Sequence, residues 1–452
     1  MISYLFYTIL VIVACSCNSP EKSNDFDLDL SDFDSEKMTD FSEEEESCLN
    51  DEEYDSWDYV LDLGQVDHVS RIIPYKKGYL LSGVIDFPYK PNSDLYLPGY
   101  VAFMNKDYSF GWQVLIDCFL IGSVATDGVG KIFLGGDIPN SYSMALASID
   151  ENGNVLWKKN WSDDSFFKSG PQGISKVKYF DKSLYLSGFS GGWNEDGSMA
   201  FHKLYLAKTD LAGNILWKKV WGAEGHNYFN DMMIDEKGFM YLTGNTNGDF
   251  EGNENANEMG DCGDERHACG DVILVKTDME GNVIWARQWG SDKKTEYEYG
   301  QQIILDEDQN IFVLSLIYSS DLVSSEVRKF DSDGNLIWSK IFKSEQPETY
   351  FYPQKTLIDK DGSFKFAAVE MILESRKTTI FIINLDRDDG EVIDSISIPS
   401  ENEIEIYGLE SLDDKLILMG QYYFEYNQTG YSDTFFKEIN RDCFKKAEKT
   451  DL

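Results

Sequence analysis

The string LYLAKTDLAGNILWKKVWG at 204–222 returns almost unchanged as DVILVKTDMEGNVIWARQWG at 271–290. Leu204, Leu206 and Lys208 alternate with Tyr205, Ala207 and Thr209, and Ile215, Trp217 and Lys219 alternate with Leu216 and Lys218. Between the two runs lies DLAGN, where Asp can accept backbone N–H groups and Gly or Asn tolerates positive φ. Period-two apolarity around such a turn predicts a β-hairpin. An isolated hairpin cannot bury its apolar face, so a chain that spells one twice needs further copies to pack on.

Turns of this kind recur as DENGN (150–154), DLAGN (210–214), DMEGN (278–282), DSDGN (331–335) and DRDDG (386–390). The strand after the turn carries Trp157, Trp217, Trp285 and Trp338; a fainter copy carries Trp112, and Asp394 falls where the fifth tryptophan would be. A second marker is a short strand ending in small residues: GYLLSG (78–83), KIFLGG (131–136), SLYLSG (183–188), FMYLTG (239–244), NIFVLS (310–315), SFKFAA (363–368) and KLILMG (415–420). The intervals between their last residues are 53, 52, 56, 71, 53 and 52.

Seven markers at this spacing predict an all-β chain, a seven-bladed β-propeller of four-stranded antiparallel blades over residues 57–442. The chain ends supply a closure. WDYVLDLG (57–64) reads as an outer strand without its hairpin partner, whereas DTFFKEIN (433–440) lacks an outer strand behind it. The N-terminal strand is therefore expected to complete the seventh blade and remove the open edges of the ring. Once-per-blade tryptophans at one strand position are expected to pack sheet on sheet.

The blade at 240–290, MYLTGNTNGDFEG followed by DVILVKTDMEGNVIWARQWG, resembles the bacterial SBBP-type β-propeller repeat; the likeness is good at 183–222, fair at 131–160 and 311–342, and poor near both ends. The resemblance implies a propeller outside the cytosol. It brings no common catalytic residues to carry over.

The N-terminal region has a different character. Residues 4–14 form an apolar run of signal-peptide length, too short to span a bilayer. Residues 1–14 thus read as a lipoprotein-type signal peptide, with Cys15 and Cys17 as alternative lipidation sites; an ordinary secreted protein is the other reading. Residues 15–56 read as an acidic tether and 443–452 as a C-terminal tail, since 17 acidic and only 2 basic side chains occupy residues 1–58. The expected location is the bacterial outer membrane or cell surface through a lipid anchor, or else the periplasm or medium. The whole chain carries 40 basic and 80 acidic residues, a formal net charge of −40. This balance excludes a nucleic-acid partner, whose phosphates need a basic footprint.

The longest marker interval contains an acidic insertion at 245–271. Long excursions from a repeat scaffold often form its binding face. Asp249, Glu251, Glu254, Asp261, Asp264 and Asp271 make it a candidate Ca²⁺ loop, although the spacing is not that of an EF-hand. Cys262 and Cys269 are expected to staple it as a disulfide, with a soft-metal site including His267 as the alternative. Cys48 and Cys443 flank the ring closure and form a second candidate disulfide; Cys118 reads as a small buried apolar residue. Trp221 and Trp289, at strand ends, and His226, ahead of an inner strand, are candidate ligand contacts. The four histidines show no motif or evident cluster, and His226 reads first as a solvated loop residue. GFSGG (188–192) matches G-x-S-x-G but lacks the strand-to-helix setting of a nucleophile elbow.

These features predict a non-enzymatic binding or scaffold module at the cell envelope, holding a protein or glycan through blade loops. A propeller-type polysaccharide lyase or hydrolase, with catalytic groups near the axis, is the alternative.

Overall fold

The computed structural model describes residues 57–446 except 62–65, 87–97, 118, 139–142, 163–167, 194–201, 223–224, 257–269, 292–295, 320–321, 413–414, 425–430 and 442–443. Seven antiparallel sheets follow one another along the chain, each consecutive in strand order except the last. That last sheet takes Tyr59–Leu61 as its outer strand, paired with Tyr431–Asn440 through Tyr59↔Phe436. The ring is thus a seven-bladed propeller closed by its N-terminal strand, as the sequence predicts. Blade 6 also gains a fifth strand, because the backbone of Lys445–Lys446, read from sequence as tail, pairs with Ser395 and Asp394.

The repeated tryptophan has a defined seat. A Cβ on Gly153, Gly213, Gly281, Gly334 or Gly390 would stand 2.8–3.0 Å from the indole of Trp112, Trp157, Trp217, Trp285 or Trp338 respectively. Each ring therefore lies on the outer turn of the following blade. These glycines have φ between +72° and +85°, so the turn needs glycine for its conformation as well as for space. Trp112 Nε1 also donates to the Glu151 carbonyl at 2.7 Å, and Trp338 Nε1 to that of Arg387 at 3.0 Å. The turn aspartates are engaged locally. Asp210 Oδ1, for example, accepts from the amides of Ala212 at 2.9 Å and Asn214 at 2.8 Å.

The small-residue marker answers to a second repeated device. Every inner strand carries a register shift at the same level, bulging at Ser70, Gly122, Ser175, Asn230, Gln301, Gln354 and Tyr407. The last marker residue of each second strand pairs with the residue just before that bulge, for instance Gly136↔Ile121 and Gly244↔Phe229. A Cβ on Gly136, Gly188, Gly244 or Gly420 would come within 1.8–2.3 Å of an inner-strand carbonyl oxygen. Past the bulge, side chains reach the next blade. Ser123 Oγ accepts from Val177 N at 3.0 Å, Asp231 Oδ2 from Ile303 N at 3.1 Å, and Gln302 Oε1 from Thr356 N at 2.8 Å.

The closure is tied by strand pairing and an aromatic anchor. Trp57 is buried, stacked on Phe435 with centroids 3.9 Å apart, while Asp58 accepts from Glu438 N at 2.6 Å. The disulfide expectation is corrected: no disulfide bond is present among the described residues, and Cys48, Cys262, Cys269 and Cys443 all lie outside them, as do Cys15, Cys17 and Cys118. Ser190 lies within the strand Ser183–Trp193, and among the described residues no helix follows it to make a nucleophile elbow.

Two outcomes follow for unfolding measurements. Trp57→Ala is expected to lower stability by about 3–5 kcal/mol, the range for a buried aromatic truncation. Gly281→Ala is expected to cost about 1–2 kcal/mol from the left-handed backbone alone, with more from the clash with Trp217. Urea midpoints unchanged from wild type would refute both assignments.

Candidate functional site

Strand direction sorts the connections onto two faces. Inner and third strands end on one face, where tight Asp turns join them to their partners. Second and outer strands end, and third and inner strands begin, on the opposite face. This loop face carries the insertion, both candidate tryptophans and His226.

His226 is buried against a residue that the sequence did not associate with it. His226 and His202 are 8 % and 6 % exposed, with their Nδ1 atoms 2.9 Å apart. The Tyr228 hydroxyl also hydrogen-bonds His202 Nδ1, and Phe189 meets the His202 ring edge-on at 5.2 Å. His202 precedes the third strand of blade 3, while His226 and Tyr228 begin blade 4, so the blade junction brings them together. Asn227 fixes the junction by donating to the His202 carbonyl from its backbone at 3.0 Å and its side chain at 3.1 Å. His202 Nε2 is buried without a partner. A neutral ring protonated at Nε2 leaves Nδ1 free to accept from both neighbours. Burial, and then His226, push His202 down to about 3.

The next junction gathers charge. Glu326 pairs with Arg328 at 2.8 Å and accepts from Trp289 Nε1 at 3.2 Å, while the Arg328 guanidinium lies over the Trp289 ring. Glu298, 5 % exposed beside this group, is pushed up to about 8 by burial and then by Glu326, against the pull of Arg328. Trp289 is thus packed into a polar junction. Trp221 is half-buried edge-on to Phe229 at 5.8 Å.

Across blades 5 to 7 the loop face carries an aromatic band. Tyr297 stacks on Tyr318 at 4.8 Å; Tyr318 meets Tyr350 at 6.4 Å, and Tyr350 meets Tyr352 at 5.6 Å. The band ends on carboxylates. Arg376 Nη2 donates to Glu403 at 2.6 Å, and Glu405 accepts from the hydroxyls of Tyr423, at 2.8 Å, and Tyr407. Tyr297, Tyr318, Tyr352 and Tyr423 are half-buried, leaving part of each ring to solvent.

The acidic insertion is built differently from a calcium loop in its described part. Asp249 Oδ1 accepts from Asn255 N at 2.8 Å, and Asp271 Oδ2 from Ala256 N and Gln288 Nε2, both at 2.9 Å. These carboxylates brace the loop backbone. Glu251 and Glu254 are exposed, and Asp261, Asp264 and His267 lie outside the described residues. Among the described residues no three His, Cys, Asp or Glu side chains group as metal ligands.

No family model matches the chain, and no curated protein does. Among solved structures, the chain is similar to the Dos1 propeller at 10% identity, covering 84% of this chain and 93% of that one with a TM-score of 0.48. It is similar to polysaccharide lyase Uly1 at 11% identity, covering 83% and 91%, TM-score 0.46. Extracellular domains 1–2 of Drosophila Semaphorin 1a match at 11% identity, covering 83% and 89%, TM-score 0.44.

The depressed His202 gives a pH signature. Below its unfolded value of about 6.5 the unfolded chain binds a proton that the folded chain refuses until about 3. Stability is therefore full above that value and falls through this window as pH drops, by on the order of 1 kcal/mol per pH unit. Urea unfolding of wild type and His202→Leu at pH 7 and pH 4.5 should show a smaller acid loss in the variant. Equal losses would remove His202 from this role.

Proposed function

We propose that the protein is a non-enzymatic binding module of the bacterial cell envelope that engages a glycan or protein through its loop face. The observation that supports it is the tyrosine band of blades 5 to 7, partly exposed at Tyr297, Tyr318 and Tyr352 and flanked by Glu403, Arg376 and Glu405. Tyrosine rings present flat apolar surface at low entropic cost, with a hydroxyl at the edge. Flanking carboxylates and a guanidinium supply directional partners for sugar hydroxyls or peptide groups. Envelope display rests on the lipoprotein-type N-terminus. A lipid anchor at Cys15 or Cys17 would place a ring on a long acidic tether, away from the membrane surface.

A hydrolase or lyase is the second reading, favoured by the His202–His226–Tyr228 cluster and by a Glu298 carboxyl still protonated at neutral pH. Such groups can exchange protons with a substrate.

Wild-type protein, Tyr352→Ala and Tyr318→Ala should be compared on immobilised bacterial polysaccharides and on envelope proteins. Saturable binding by wild type, weakened about tenfold or more by either substitution without loss of folding, is expected. Undiminished binding in both variants would move the site off the band. Release of new reducing or unsaturated ends, lost in His202→Ala, would favour the enzyme instead.

A further inference from the structure

The inner strands bring a second group of residues to the axis, one layer past the bulges. Arg71, Lys176, Asp231 and Lys355 each follow a bulge, in blades 1, 3, 4 and 6. They come from opposite sides of the ring yet act on one another, so their side chains converge. Lys176 Nζ lies 3.2 Å from Asp231 Oδ1. Arg71 is held below its usual range by burial and feels Asp231 and the Tyr407 hydroxyl. Lys355 is held well below the ordinary lysine range by burial first, then by Arg71 and Lys176, with Asp231 and Glu410 opposing.

The cations at this level are under-partnered. Asp231 already accepts from Ile303 N and Met232 N besides pairing with Lys176. Arg71 Nη1 donates only to its neighbour's carbonyl, at 2.8 Å from Ser70 O, and its Nε is buried without a partner. Lys355 Nζ has neither a hydrogen bond nor an ion pair among the described residues. Lys178 adds a further cation, its Nζ 3.7 Å from Met233 Sδ. Glu410, the remaining carboxyl, is pushed up to about 7 by burial. In a chain with a net charge of −40, positive charge in excess at the axis stands against the overall composition.

We propose that this layer of inner-strand side chains is an oxyanion site, holding a carboxylate, sulfate or phosphate group among Arg71, Lys176 and Lys355. Guanidinium and ammonium donors aimed from three blades match several oxygens of one such group. The partly desolvated surroundings strengthen each contact relative to water. The site lies deeper along the inner strands than Tyr352, by about 10 Å given the rise of an extended strand, and meets the far end of the tyrosine band at Tyr407. A free inorganic anion and the acidic group of a saccharide entering from the loop face present the same chemistry.

Isothermal titration of the full chain with sulfate, inorganic phosphate and glucuronate, at one ionic strength, tests this. Saturable binding of at least one is expected, weakened about tenfold or more in Lys355→Met and Arg71→Met and unchanged when the exposed Lys131 is replaced, Lys131→Met. Preference for glucuronate assigns the site to a saccharide, and preference for the inorganic ions to a free anion. Should either variant fail to fold, Lys355→Gln and Arg71→Gln replace them, with the same loss expected. No saturable binding of any of the three, or binding by the folded variants equal to that of wild type, overturns the proposal.

Discussion

An indole ring laid flat on a glycine turn holds this ring of sheets in register. The contact joins each of five blades to its successor, and it needs two residues about fifty positions apart: tryptophan on one outer strand and glycine in the next outer turn. Any side chain on that glycine would displace the ring. The exceptions mark the seam. Asp394 takes the tryptophan position in blade 6 because blade 7 has no outer turn to cover; its outer strand comes from the other end of the chain. At the closure, Tyr59 stacks on Tyr108 at 4.8 Å, a tyrosine with φ +64° standing where other blades have glycine.

That pairwise dependence is why the fold could be read directly. A contact repeated in five blades leaves the same letters at much the same spacing, and the small-residue marker does likewise because the bulge pushes a carbonyl against it. The orphan outer strand at 57–64 was legible for the same reason, by what it lacked. Strand pairing and the Trp57–Phe435 stack tie the ends that the cysteine positions 48 and 443 suggest a disulfide would join.

The candidate sites were mostly hidden, and the bulge explains part of this. An extra residue in a strand shifts the parity of side-chain direction beyond it. Alternation counted along 66–75 or 349–358 therefore cannot tell that Arg71 and Lys355 face the axis. Nor does any local motif join four residues in four blades. His202 and His226 are 24 positions apart, on either side of a blade boundary, and neither neighbourhood resembles the other. The tyrosines of blades 5 to 7 are ordinary strand residues in sequence, distinguished only by which end of the strand they occupy. The insertion at 245–271 stands out by composition, yet its Asp249 and Asp271 brace its own backbone.

Closing the ring with its first strand also sets an order of events. Tyr59 pairs with Phe436, so the strand Tyr59–Leu61 stays without a neighbour until the seventh blade has emerged. Blades can form one by one from mostly local pairings, but until the ends meet two sheet edges stay exposed to unwanted pairing. A chain cut short anywhere before the seventh blade would keep those edges permanently. Completion of the ring is thus a built-in test that all seven blades are present, applied by topology when the ring closes.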